Sequence, residues 1–114
     1  MIADDDPGIV DAIEMMLTYD GFEVKSTSNG ATFSEVVKNS PDLLLLDIWM
    51  TGEDGRDICR KLKTTKKTKT IPVIIISASK DIERSAIDSG ADGFLEKPFE
   101  MNELLDKIKS LLTT

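Results

Sequence analysis

The 114 residues, 40% hydrophobic and 31% charged, have the size and composition of one folded domain, which excludes a disordered tail and makes a metal or disulfide unnecessary for folding. A lone cysteine, Cys59, excludes an internal disulfide framework and leads us to expect a reducing compartment, the cytoplasm; no apolar run exceeds four residues, too few for a membrane span. The net charge of −7 argues against direct nucleic-acid binding, and the absence of histidine removes His-based acid–base catalysis and most zinc sites.

Along the chain, strand-like runs alternate with helical periodicity. Met1–Ala3 is a short apolar start, clipped for a strand, since five or six residues are usual. Asp6 is a natural N-cap with Pro7 at the first helical position, and Ile9, Val10, Ile13, Met16 and Leu17 form one face of a helix ended by Asp20-Gly21. Phe22–Thr27 reads as the second strand. Ser28-Asn29-Gly30 turns the chain into a helix around Phe33, Val36 and Val37, expected to stop before Asn39-Ser40-Pro41.

Leu43–Leu46 is apolar without alternation, the pattern of a strand covered on both faces. Asp54-Gly55 opens a third helix through Ile58, Cys59 and Leu62. Residues 56–70 hold seven of the fourteen basic side chains and one of the twenty-one acids. Threonines and no aromatic residue are mixed among these lysines, so Lys61–Thr70 reads as a helix end running into a solvated loop, with a docking patch as the sharper alternative. Val73–Ile76 is a second all-apolar strand. A helix follows from about Lys80 to Ser89, stopped at Gly90. Gly93–Glu96 is a short strand, Lys97-Pro98 a break, and Leu104, Leu105, Ile108, Leu111 and Leu112 stripe a last helix.

Five β-α units predict an α/β fold, a parallel sheet with helices on both faces and a ligand crevice beyond the carboxyl ends of the strands. Those ends carry Asp4, Asp5 and Asp6, then Asp47, then Ser77, then Lys97. Carboxylates from neighbouring strands repel unless a cation joins them, and oxygen-only ligands favour Mg²⁺. A hydroxyl and an ammonium beside such a cation make a site for phosphoryl oxygens, with a carboxylate, Asp47, as the economical acceptor. Each residue alone has a plainer explanation: Asp4–Asp6 as a helix cap with solvated neighbours, Asp47 as a strand end, Ser77 as a turn residue, Lys97 as surface and Phe94 as core. Their joint arrival at one end of four strands favours the site.

The sequence resembles the receiver domain of two-component response regulators over almost its whole length, 1–114. The resemblance is carried by Ile2–Pro7, Pro41–Asp47, Met50 with Asp54-Gly55, Pro72–Ala78 and Gly90–Phe99, in that order and spacing. It implies a flavodoxin-like five-stranded sheet of order 2-1-3-4-5 and Asp47 as phosphoacceptor. It further implies Mg²⁺ held by Asp5, Asp4 (mostly through water), Asp47 and the backbone carbonyl of Trp49, with Lys97 binding the phosphoryl group. Ser77 and Phe94 take the switch positions, and the Lys97–Pro98 peptide is expected to be cis. The implied partners are a sensor histidine kinase or histidine phosphotransfer protein, a downstream output domain or protein, and a homodimer through the fourth helix, fifth strand and last helix.

Two features depart from the pattern. Thr51 stands where a proline is common, and bulky Trp49 sits beside the acceptor, where its ring is expected to shield an acyl phosphate from water. Three rivals are weaker. An aspartyl-phosphate hydrolase would carry a second acid two positions past the nucleophile, where this chain has Trp49. A phosphorylation-independent interaction module would be expected to lose the acceptor, an acid or the lysine. A flavodoxin-like cofactor binder would place its phosphate loop after the first strand, where three aspartates repel phosphate.

Overall fold

The computed structural model describes residues 1–27, 32–50 and 53–112, so the expected turn at 28–30 and the substitution at Thr51 lie outside the described residues. Strand β1 (Ile2–Ala3) leads into helix α1 (Pro7–Tyr19), β2 (Ser26–Thr27), α2 (Thr32–Asn39) and β3 (Leu44–Asp47). A short antiparallel pair, β4 (Trp49–Met50) and β5 (Glu53–Asp54), precedes α3 (Gly55–Lys63) and β6 (Val73–Ser77). A 3₁₀ turn (Lys80–Ile82), α4 (Glu83–Asp88), β7 (Gly93–Glu96) and α5 (Met101–Leu112) complete the chain. The five long-range strands pair in parallel in the order β2-β1-β3-β6-β7, which counted among themselves is the expected 2-1-3-4-5.

The absence of alternation in the central strands has its cause in two buried faces. Leu44, Leu46, Val73 and Ile75 pack with Val36, Ile58, Cys59, Leu62 and Ala86, from α2, α3 and α4. The intervening Leu43, Leu45, Ile74 and Ile76 pack with Val10, Ile13 and Leu17 of α1 and Leu104 and Ile108 of α5. Each such side chain contributes about 1.5–3 kcal/mol when fully buried. Central burial therefore fixes the sheet, and with it the end at which the strand-terminal side chains gather.

Local signals set the helix starts. Asp6 Oδ1 accepts from the backbone N–H groups of Gly8 and Ile9 at 3.0 and 3.3 Å, with Pro7 at the first position. Asp54 caps α3 by accepting from the Arg56 N–H at 2.8 Å. Gly21 and Gly90 take φ of 94° and 102° after α1 and α4, where glycine has no steric penalty. The loop after α3 is stitched by threonines: buried Thr68 donates to the Leu62 carbonyl at 2.6 Å, while Lys66, Lys67 and Lys69 stay exposed. The solvated-loop reading of this basic stretch therefore matches the structure.

Three elements differ from expectation. The second strand is Ser26–Thr27 and not Phe22–Thr27, because β1 offers only Ile2 and Ala3 as partners. Phe22–Lys25 borders a cavity of about 370 Å³ at the opening end of the sheet, which holds none of the expected site residues. The helix expected from Lys80 begins as a 3₁₀ turn and is α-helical only from Glu83, since Ile82 supplies no side-chain cap. Helix α2 runs through Asn39, and Ser40 leaves it at φ 44° ahead of Pro41. The Lys97–Pro98 peptide is cis, as expected. Among the described residues no helix is long and apolar enough to cross a membrane.

Candidate phosphoryl and metal site

The carboxyl ends of β1, β3, β6 and β7 bring the expected residues together. Asp4 and Asp5 follow β1, Asp47 ends β3, Ser77 ends β6 and Lys97 follows β7. One carboxylate oxygen from each of Asp4, Asp5 and Asp47 lies within 4.8 Å of the others. Lys97 Nζ donates to Asp4 Oδ2 at 3.3 Å and to Asp47 Oδ1 at 3.4 Å. Asp4, Asp47 and Ser77 are buried, whereas Asp5 is exposed at the rim.

The three consecutive aspartates divide their work. Asp6 turns away to cap α1. Asp4 Oδ1 accepts from the Asp6 N–H at 2.9 Å, which locks it while Oδ2 faces Lys97. Sequence order alone does not reveal that split.

The site carries more negative charge than its own groups offset. Burial, reinforced by the Asp4 charge, pushes the Asp47 carboxyl up to about 6, even though Lys97 opposes the rise. Three converging carboxylates against one ammonium are a donor set for a hard divalent cation, and oxygen-only ligation suits Mg²⁺. Asp4, Asp5 and Asp47 therefore fit such an ion.

Ser77 Oγ accepts from the Ser79 N–H at 3.0 Å, and the Ser77 carbonyl accepts from the Lys97 N–H at 2.7 Å. Ser77 and Lys97 are thus tied together at adjacent strand ends through the backbone. Phe94 is buried in the same cluster as Ala86 of α4. Trp49 is 59% exposed, with the Arg56 guanidinium 5.2 Å from its ring centre.

Two contributors were not legible as site residues. Gly55 read as a helix start and as part of the resemblance, with no role at the site. An ideal Cβ there would lie 2.7 Å from the Asp47 carbonyl oxygen and 2.9 Å from Ile48 Cα, and the Gly55 N–H donates to the Ile48 carbonyl at 2.6 Å. Glycine is needed because α3 starts against the backbone of Asp47 and Ile48. Gly55→Ala is expected to cost about 1–3 kcal/mol, since backbone must move to admit the methyl group. Urea unfolding measures this, and a cost below about 0.5 kcal/mol, the range of neutral surface changes, would contradict it. The second is Arg56, whose partner Ser85 lies 29 residues away in sequence.

The family profile described as response regulator receiver domain matches residues 1–109. The DNA-binding dual master transcriptional regulator RpaA of Synechocystis sp. is 35% identical over 98% of this chain and 48% of its own length. The chain thus spans about half the length of that curated relative. The receiver domain of NtrX from Brucella abortus has a similar structure, with a TM-score of 0.88 and 30% identity over 99% of this chain and 97% of that one. The receiver domain of a sensor histidine kinase from Pseudomonas aeruginosa, with magnesium coordinated in its active site cleft, shares the fold at a TM-score of 0.90 and 22% identity, over 99% of this chain and 95% of that one.

Proposed function

This chain belongs to the response regulator receiver domain family, and on that premise we propose that it is a magnesium-dependent phosphoacceptor switch with Asp47 as the acceptor. The observation that carries the reading is the convergence of Asp4, Asp5 and Asp47 on one point with Lys97 between two of them. Asp4, Asp5, Asp47 and the Trp49 carbonyl would hold Mg²⁺, which supplies charge stabilisation for the phosphoryl oxygens when bound.

Asp47 Oδ1 faces Lys97, and no hydrogen bond to Oδ2 is formed among the described residues. No buried side-chain oxygen among them lacks a partner, so Oδ2 opens to solvent, where a donor can approach in line. The new P–O bond forms there as the donor's P–N bond breaks. The 114 residues contain no histidine, so the donor is a phosphohistidine outside them, on a sensor kinase or phosphotransfer module. Lys97 neutralises the incoming oxygens and Ser77 donates its hydroxyl to them.

Drawing Ser77 toward the phosphoryl group biases the buried position of Phe94 beneath α4. The face formed by α4, β7 and α5 then shifts toward its partner-binding state, for an output domain or a second copy. Multiple turnover is not expected, because the position two past the acceptor is Trp49 and not an acid. Acetyl phosphate with Mg²⁺ should load one hydroxylamine-labile phosphoryl group per chain, and no loading under those conditions would sink the reading. We further expect Trp49→Ala to shorten the acyl-phosphate lifetime several-fold by admitting water. An unchanged decay rate, followed by loss of label, would show that the ring does not shield it.

A further inference from the structure

Arg56 joins groups that the sequence keeps apart. Its Nη2 and Nε donate to Asp54 Oδ2 and Oδ1 at 2.7 and 3.1 Å, the fork geometry that suits a carboxylate. Its Nη1 donates to Ser85 Oγ at 3.0 Å, and its guanidinium lies over the Trp49 ring. Asp54 also pairs with Trp49 between β4 and β5. Trp49, two residues past Asp47, therefore sits in a clamp whose other end is on α4.

That helix is weakly anchored. It has six residues, only Ala86 is buried, and no side chain caps its start. Ser85 Oγ, which accepts from Arg56, donates to the Ile82 carbonyl at 3.0 Å, at the junction of the 3₁₀ turn and α4. Elements with so little buried surface open at low free energy. One charge-assisted hydrogen bond is then a large share of what holds this one in place.

We propose that Arg56 is a positioning residue that couples the loop after Asp47 to α4, passing changes at Trp49 and Asp54 to Ser85 by a route separate from Ser77. Its trigger rests on the phosphoacceptor reading above: a Trp49 carbonyl that moves to meet a cation carries the ring and its guanidinium partner along. Both ends of the link bias one element with little intrinsic stability, the condition for a small local shift to have a distant effect.

Amide hydrogen exchange over residues 83–88, read beside the fluorescence of Trp49, the chain's single tryptophan, tests the coupling. The full chain is compared with Ser85→Ala and Arg56→Lys, each without ligand and with Mg²⁺ plus beryllium fluoride standing in for the phosphoryl group. Without ligand, both substitutions should speed exchange over 83–88 roughly tenfold, as loss of one charged hydrogen bond implies, while the β6 amides are unaffected. With ligand, wild type should change its protection at 83–88. Ser85→Ala should lose at least about half of that change while its Trp49 titration midpoint stays within about twofold. A purely structural Arg56 would leave the ligand-induced change intact. If wild type responds and both variants keep the full α4 response, the coupling alone is overturned. If wild type shows no response at Trp49 or at α4, the phosphoacceptor reading falls and the coupling with it.

Discussion

Asp47→Asn is expected to abolish phosphoryl labelling by acetyl phosphate, a drop of at least roughly a thousandfold, because an amide offers no oxygen nucleophile that yields a stable acyl phosphate. The result discriminates between two carboxylates that Lys97 treats almost alike, at 3.3 Å from Asp4 and 3.4 Å from Asp47. Asp4 has both oxygens engaged, one by the Asp6 N–H and one by Lys97, and is only 2% exposed. Asp47 has one oxygen against Lys97 and one open to solvent. Mass spectrometry of the loaded chain, with reductive trapping of the acyl phosphate, reads the site directly. Undiminished Mg²⁺-dependent label in Asp47→Asn would move the acceptor to Asp4 or Asp5. Lys97→Ala, by contrast, is expected to slow loading about 10²–10³-fold without ending it, as loss of one preorganised charge does.

The same aspartate is expected to make the metal-free protein less stable as pH rises. Its carboxyl titrates near 6 in the fold against 3.8 unfolded, so between those values the native state holds the extra proton. Stability falls wherever the native state binds more protons, so the loss accumulates as pH rises from about 4 to 6 and is complete above that. A shift of this size corresponds to about 2–3 kcal/mol. Asp47→Asn carries no such charge and should be more stable than wild type by about that amount at pH 7.5, with the difference vanishing near pH 4. Mg²⁺ should close most of that gap, because an ion at 100 times its dissociation constant stabilises wild type by about 2.7 kcal/mol and binds the asparagine variant less well. Urea unfolding of both proteins from pH 4 to 8, with EDTA or with Mg²⁺, checks this. Parallel profiles for the two proteins would mean that Asp47 experiences no such repulsion.

Where residues carried their own instructions, the chain was legible. Leu43–Leu46 and Val73–Ile76 announced strands buried on both sides, and each proved to supply alternate side chains to two separate cores. Asp6-Pro7 and Asp54-Gly55 marked helix starts because a capping carboxylate satisfies amides two and three residues away. The site was legible for a related reason. In a parallel sheet every strand ends at the same edge, so Asp4, Asp47, Ser77 and Lys97 had to meet once the strands were placed.

Pairing between distant segments was not legible. Phe22–Lys25 has the composition of a strand, but the residues it would pair with lie outside β1, and no local feature announces that. The β4–β5 pair is two residues on each side, too short for periodicity to show. Gly55 looked like a helix opener until its separation from the Asp47 carbonyl was known. Arg56 was only one of seven basic side chains in 56–70 until folding set Ser85, 29 residues away, against its guanidinium.

By itself, then, the order of residues determined the α/β class and the acidic, lysine-bearing edge, since those follow from apolar runs, caps and strand direction, while the sheet order was implied by the family resemblance. Only the tertiary structure decided how the three aspartates share their tasks, how far each strand pairs and which helix the loop after Asp47 grips. Those outcomes depend on distances between atoms remote along the chain, and such distances exist only after the core has packed.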